Sequence, residues 1–182
     1  MRCWRSQGRW RFIVGRPERC EFTVPDSMQL ESLAVRAPWM AVAFREVGVS
    51  TYPLGQSNPR VTEYHGHTGL RGYDDKASWC SSFVNWSLAQ VGLRGTGSAL
   101  ARSWLEWGDA ISEPVRGCIV VLSREDPSGW KGHVGFFLRS DDEHVHLLGG
   151  NQLDQVREHF YPKVSVLGYR WASQASPGAF EA

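Results

Sequence analysis

The sequence contains no long hydrophobic run, and this absence excludes an integral membrane protein of the helical type. A transmembrane helix needs about 18 consecutive apolar residues, and no stretch of the 182 residues approaches that length. The basic N-terminus has only a short apolar run at residues 12–14, whereas the hydrophobic region of a signal peptide spans about 7–15 residues. We therefore expect a protein that is made in the cytoplasm without a classical signal peptide.

The sequence also has little net charge and few cysteines. Its formal charge is +1 at pH 7, so there is no electrostatic reason to expect nucleic acid or an acidic membrane as the main partner. The cysteines Cys3, Cys20, Cys80 and Cys118 show neither CxxC spacing nor a zinc-ligand pattern. A disulfide between Cys3 and Cys20 is an open alternative, but we expect reduced thiols and no metal or other cofactor.

The composition of the chain and the positions of its proline, glycine and turn residues divide it into three segments. Residues 1–36 begin with an arginine-rich stretch and are predicted to form a solvated, poorly ordered N-terminal arm. Residues 37–172 carry regular helix and strand signals and are predicted to form one domain, followed by a tail at residues 173–182. With 42% hydrophobic residues, a chain of this length can bury one ordinary core.

Helix signals occupy the first half of the predicted domain, and strand signals occupy the second half. Helices are predicted at residues 38–48, 78–92 and 98–108, with a long loop at 50–75 that holds one short helix. Short β-branched or aromatic runs predict strands at residues 117–123, 132–140, 143–151 and 163–171. Because helices come first and strands follow, we predict an α+β domain with N-terminal helices packed on a C-terminal antiparallel sheet.

Cys80 lies at the start of the helix predicted over residues 78–92. It precedes Phe83 by three residues and Val84 by four, so all three share the apolar face that is directed toward the sheet. Free backbone N–H groups and the helix dipole at this end favour a thiolate. Cys80 is therefore a candidate nucleophile, and the alternative is an inert buried thiol, which is the commoner role of a lone cysteine.

His133 is the candidate base for this thiol. It opens a predicted strand directly after Gly132, where a histidine can meet a helix start at the edge of the sheet. A strand histidine is usually a core or surface residue, but one that is paired with a cysteine at a helix N-terminus is a candidate general base.

Asn151 is the candidate for orienting the imidazole ring. A simple hairpin places His133 opposite Gly150, so a bulge at Gly149 and Gly150 is needed to bring Asn151 opposite His133. Its amide oxygen would then accept a hydrogen bond from the ring and set the tautomer. Gln152 is the reserve candidate for this role.

Several other residues are candidates for contact with a ligand. Trp79 adjoins Cys80, and Tyr64 and Tyr73 come from the preceding loop, so these three side chains are predicted to line a substrate cleft. Gln152 is a fourth predicted substrate-binding residue. His65 and His67 are separated by one residue, but two ligands without a nearby acid or thiol do not make a metal site. No metal is therefore predicted.

Three segments of the sequence together resemble a known family. The segments WCSSFVNW, GHVGFFL and LLGGNQ, in this order, resemble the cysteine, histidine-dependent amidohydrolase/peptidase (CHAP) and NlpC-type cell-wall hydrolases. The upstream segments PWMAVAFREVGV and NPRVTEYH also resemble a subgroup of these enzymes that is encoded by phages and bacteria. The resemblance covers roughly residues 37–172 and implies a papain-like fold. It matches Cys80 to the nucleophile, His133 to the base and Asn151 to the polar orienting residue.

The resemblance implies a thiol hydrolase that cleaves an amide bond of peptidoglycan, within the stem peptide or at the link between sugar and peptide. Such an enzyme acts on the cell wall or in the periplasm after release or secretion, as a phage lysin or as an antibacterial effector with an immunity protein as partner. We expect a monomer. An acyltransferase or transglutaminase-like enzyme on the same triad and a non-catalytic wall-binding module are the competing functions.

Overall fold

The computed structural model describes residues 36–173 and, before them, only the backbone of residues 5–6 and 9–10. These two short segments form strands β1 (Arg5–Ser6) and β2 (Arg9–Trp10), which pair antiparallel. The rest of the predicted arm at 1–36, the cysteines of the alternative disulfide and nearly all of the predicted tail lie outside the described residues. None of the described helices is both long enough and apolar enough to cross a membrane.

The helices of the domain come before its main sheet. Helix α1 (Pro38–Arg45) and helix α2 (Pro59–His65) both begin on a proline, whose fixed φ angle suits the first helical position. Asn58 caps α2, because its side chain accepts a hydrogen bond from the backbone N–H of Arg60 at 2.9 Å. Helix α3 (Cys80–Ala89) follows a long loop, and the third predicted helix is a 3₁₀ helix (Ala101–Glu106).

Six antiparallel strands form the main sheet, in the order β3-β8-β4-β5-β6-β7. The predicted α+β class, with N-terminal helices packed on a C-terminal antiparallel sheet, is therefore confirmed. All four predicted strands are present, and the sequence patterns missed the short β3 and the half-polar β7. The strands are β3 (Asp109–Ile111), β4 (Ile119–Ser123), β5 (Gly132–Ser140), β6 (His144–Gly149), β7 (Arg157–Pro162) and β8 (Val166–Trp171).

Helix α3 is buried on nearly all sides, with only Ala89 less than fully covered. Phe83 and Val84 belong to the main core, which includes Val134 and Phe136 of β5. The predicted apolar stripe faces the sheet, but the opposite side of α3 is covered by other parts of the chain. Its serines are therefore buried as well and are hydrogen-bonded; for example, the Oγ atom of Ser81 donates to the carbonyl of Ser98 at 2.7 Å.

The β5–β6 hairpin contains a bulge, but not where the sequence predicted it. Phe136 pairs with Leu148, and the register shifts between Phe137 and Arg139. The extra residue therefore lies in β5 near the turn. Next to the turn Arg139 pairs with His146, two residues further along β6 than in a simple hairpin, and the bulge reduces this difference to one residue at the far end. Continued past the strand, this register would place His133 opposite Asn151, but β6 ends at Gly149.

The Gly149–Gly150 pair allows the chain to pass directly over the start of α3. A Cβ atom at Gly150 would lie 2.6 Å from the ring of Trp79 and 2.7 Å from the Cβ of Phe83. Both side chains are completely buried, so they have little room to move. The glycine is therefore needed for the close approach of the loop after β6 to the helix that carries Cys80.

Gly150→Ala is expected to destabilise the protein by about 1–3 kcal/mol, the usual cost of overpacking a well-packed core. Chemical denaturation of the variant and the wild type would measure this difference in the free energy of unfolding. Gly69→Ala is the matched control, because a Cβ atom at Gly69 meets nothing within 4 Å. Equal stability of the two variants would contradict the close packing described above.

Candidate active site

Cys80 is the first residue of α3 and points into the junction between that helix and the sheet. Only 6% of its surface is exposed. Burial raises the pKa of its thiol, and the backbone N–H groups of Val134, Ser81 and Cys80 itself oppose this increase. The thiol therefore lies beside the residue that follows His133 on β5, with hydrogen-bond donors already directed toward it.

His133 is completely buried, and its ring is held on one side by two neighbours. Its Nε2 atom lies 3.1 Å from the Oε1 atom of Gln152. The ring of Tyr161 lies against it, with the two centroids 5.1 Å apart at an angle of 33°. The hydroxyl of Tyr161 also donates to the same Oε1 atom of Gln152, at 3.1 Å.

The hydrogen bonds of Gln152 determine the tautomer of His133. The amide nitrogen of Gln152 donates to the carbonyl oxygens of Leu147, at 3.2 Å, and Arg157. The amide oxygen therefore has to face His133, and an oxygen only accepts, so the proton of the neutral ring belongs on Nε2. The lone pair is then on Nδ1, which is buried and has no hydrogen-bond partner among residues 36–173.

The thiol and the ring form a neutral pair in this conformation. Burial, with a smaller contribution from the charge of Arg124, lowers the pKa of His133 to about 3, while burial raises the pKa of Cys80. There is no hydrogen bond between the two side chains, both of which the structure describes. Such contacts often form only in the complex with substrate, and a neutral thiol next to a free imidazole lone pair is suited to proton transfer that accompanies nucleophilic attack.

The structure corrects the choice of orienting residue: Gln152, and not Asn151, contacts His133. The reason is the backbone of Asn151, which has a φ angle of 57°. This left-handed residue ends the alternation of side chains along the strand, so the alternation no longer predicts which side chain faces the imidazole ring of His133. Asparagine is among the few residues that tolerate this conformation well, which gives Asn151 a conformational role.

The structure also corrects two of the predicted cleft residues. Trp79 and Tyr64 are both completely buried, and the Tyr64 hydroxyl donates to Glu46 at 2.5 Å. They are packed there because the loop after β6 covers Trp79 and because Tyr64 contacts α3 from α2. Tyr73 is 56% exposed, so its contact with a substrate stays a prediction. Gln152 is 1% exposed and supports the ring instead of lining a cleft.

The two histidines of the HGH segment do not come together. His65 is buried, with its Nδ1 atom 3.0 Å from the Oγ of Ser82, and His67 is exposed. Within the part of the chain that the structure describes, no group of three or more histidine, cysteine or acidic side chains is arranged to hold a metal ion.

Tyr161 and Arg124 are two site residues that the sequence patterns did not indicate. Tyr161 belongs to β7, which lacks a clear strand pattern, and Arg124 follows β4 in a polar loop. The charge of Arg124 acts on Cys80, His133 and Tyr161 alike. No local signal marks either residue, because only the order of strands in the sheet brings them to His133.

The buried neutral state of His133 predicts a loss of stability in acid. A histidine with an ordinary pKa of 6.5 in the unfolded chain and about 3 in the folded protein binds its proton first in the unfolded state. Stability should therefore fall as the pH decreases from about 6.5 to 3, by on the order of 4 kcal/mol from this group alone.

Unfolding free energies measured from pH 7 to pH 3 would check this prediction. His133→Gln should show a shallower decrease than the wild type, because glutamine does not titrate. His65, whose pKa is also lowered by burial, is retained in the variant and contributes equally to both curves. Parallel curves for the two proteins would contradict a neutral, buried His133.

Residues 72–151 match the CHAP domain family, a stretch that includes Cys80, His133 and Asn151 and ends one residue before Gln152. No curated protein matches the chain. Among solved structures, the chain is similar to a Staphylococcus aureus protein described as similar to a lipoprotein of the NLP/P60 family, at 14% identity and a TM-score of 0.45. The match covers 84% of this chain and 44% of that one, so the chain spans less than half of that protein's length.

Proposed function

We propose, on the premise that this chain carries a CHAP domain over residues 72–151, that it is a cysteine peptidoglycan hydrolase. The bond it cleaves is an amide, within the stem peptide or between sugar and peptide. One observation carries this proposal most directly: the buried Nδ1 atom of His133 has no hydrogen-bond partner among residues 36–173, and the Cys80 thiol lies against the backbone of Val134, the next residue of β5. The catalytic domain that we propose comprises residues 37–172.

The proposed reaction begins with proton transfer from the Cys80 thiol to Nδ1 of His133. The sulfur then attacks the carbonyl carbon of the scissile amide, and backbone N–H groups at the start of α3 stabilise the oxyanion. The imidazolium returns its proton to the leaving amine, which departs as the C–N bond breaks. A water molecule, deprotonated by the same ring, hydrolyses the thioester and regenerates the thiol.

Gln152 and Tyr161 support this cycle without contacting the reacting atoms. The Gln152 amide oxygen accepts a hydrogen bond from the Nε2–H group of His133 in both the neutral and the charged state of the ring. It is held in place by its own two hydrogen bonds to backbone carbonyls, so the ring has little freedom to rotate. An oriented ring with its lone pair toward the thiol is what a general base requires.

The place of action follows from the substrate. A peptidoglycan hydrolase made in the cytoplasm has to reach the wall by release or secretion, as a phage lysin or as an antibacterial effector. An effector would have an immunity protein as its partner. These biological contexts share the chemistry proposed for Cys80 and differ in how the protein is delivered.

Digestion of purified peptidoglycan, with the products identified by mass spectrometry, tests the proposed function. We expect new amino groups or shortened stem peptides, which would identify the bond. Activity should persist in EDTA and disappear after alkylation with iodoacetamide. An intact wall would contradict the proposal and favour a wall-binding module, whereas products joined to an added amine would indicate an acyltransferase. Loss of activity in EDTA alone would contradict metal-free chemistry.

A further inference from the structure

Arg124 lies at the end of the sheet that carries the site. It follows the last residue of β4 and stands two residues after Leu122, so the two side chains are on the same face of the sheet. Leu122 is paired directly with His133 in the register of β4 and β5. The N–H of Arg124 donates to the carbonyl of Lys131 at 3.4 Å, which extends this pairing one step further. Arg124 therefore continues the row that contains His133, toward solvent.

The guanidinium of Arg124 is connected to the catalytic residues through Tyr161. Its charge opposes the rise that burial causes in the pKa of Tyr161, and the Tyr161 hydroxyl donates to the Gln152 oxygen that also accepts from His133. The charge of Arg124 also favours the thiolate of Cys80 over its thiol. The arginine thus adjoins the site on the side where the sheet ends.

Arg124 has no carboxylate partner among residues 36–173, although acidic residues follow it directly. Glu125 forms an ion pair with Lys131 at 2.8 Å. Asp126 accepts from the backbone N–H and the hydroxyl of Ser128, both at 2.8 Å. Arg124 is exposed, so a guanidinium with unused donors faces solvent at the end of the sheet where His133 lies. The planar fork of such a group matches a carboxylate.

A carboxylate at this position would also assist the chemistry. The charge of Arg124 disfavours the imidazolium form of His133, which the proposed reaction generates when the thiol is deprotonated. A bound carboxylate would offset that charge just as the proton arrives on the ring. A substrate with this carboxylate would therefore have a lower activation free energy as well as a higher affinity.

We propose that Arg124 forms a carboxylate-binding subsite that selects stem peptides with a free carboxylate beside the scissile amide. This inference rests on the proposed function, because it assumes that a wall peptide occupies the site. It adds a specificity determinant and a substrate class: acidic stem peptides are favoured over those in which the same carboxylate is a primary amide.

The test compares synthetic stem peptides that contain the scissile amide, with each free carboxylate replaced in turn by a carboxamide. Hydrolysis would be measured for the wild type, Arg124→Gln and Arg124→Lys. Arg94→Gln is the matched control, because Arg94 is also exposed and follows the opposite end of α3. Calorimetry of the same peptides with Cys80→Ala and with Cys80→Ala/Arg124→Gln measures binding without turnover.

One carboxylate should increase kcat/KM of the wild type about 10-fold or more over its carboxamide, as expected for a charge-assisted hydrogen bond. The ratio of kcat/KM between the carboxylate peptide and its carboxamide should fall to about 1 in Arg124→Gln. It should recover partly in Arg124→Lys and remain at the wild-type value in Arg94→Gln. Equal binding of carboxylate and carboxamide peptides to Cys80→Ala, or binding of neither, would overturn the subsite. A binding preference that depends on Arg124, without hydrolysis, would support the subsite and overturn the proposed hydrolase.

Discussion

Cys80→Ala is expected to lower the rate of peptidoglycan hydrolysis by about 10⁴-fold or more, because a thioester intermediate needs the sulfur atom. The variant should still fold. The thiol is 6% exposed and is packed among core residues, and replacing it with a methyl group removes little volume. Release of soluble wall fragments, measured against time and enzyme concentration, checks the loss of activity, and thermal unfolding checks the fold.

Cys118→Ala is the matched control for this experiment. Cys118 is also buried, but it belongs to the smaller cluster on the opposite face of the sheet, where burial raises the pKa of its thiol to about 12. A thiol of this kind is inert at neutral pH. We expect Cys118→Ala to hydrolyse the wall like the wild type. Residual activity of Cys80→Ala close to the wild-type level would exclude Cys80 as the nucleophile.

Gln152→Ala is expected to lower kcat by about 10²- to 10⁴-fold, because His133 would lose the acceptor that selects its tautomer. The Tyr161 hydroxyl, which shares this acceptor, would lose its partner as well. Asn151→Gly should retain activity within a few-fold. Glycine adopts a φ angle of 57° without strain, and the Asn151 side chain has no hydrogen bond to His133 in this structure.

Rate constants for both variants, with far-ultraviolet circular dichroism as a test of folding, distinguish the two candidate orienting residues. Asn151→Ala adds a second comparison. Like Asn151→Gly it removes the amide group, but alanine costs about 1–2 kcal/mol in the left-handed conformation. If both Asn151 variants lost activity and Gln152→Ala kept it, then Asn151, the residue that the sequence suggested, would be the orienting one.

Much of the fold could be predicted because it is encoded locally. Pro38 at the start of α1 and Gly48 beyond its end are signals that operate within a few residues, and both coincide with the observed helix. The β5 strand has the bounds predicted for it, Gly132–Ser140, because its apolar centre at residues 134–138 lies between polar and turn residues. Strand β7 could not be predicted, because its exposed and half-buried residues follow no period.

The placement of individual side chains was harder to predict than the elements. A bulge at Gly149 was predicted to set the register of the β5–β6 hairpin, but the register is set at the turn, where Arg139 pairs with His146, and the observed bulge lies near Phe137. Aromatic residues beside a nucleophile are plausible cleft residues, yet Trp79 and Tyr64 are in the core. In both cases the outcome depends on what packs against the residue from a distant part of the chain.

The sequence by itself determined that a cysteine lies at the start of a helix and that a histidine lies at the start of a strand. Helix caps, apolar periods and turn residues are local, so these assignments need no knowledge of the other elements. Only the tertiary structure decided that Gln152 contacts His133, and that Tyr161 and Arg124 adjoin the same site. These three residues converge through a left-handed turn and the order of the strands, which depend on packing over the whole sheet.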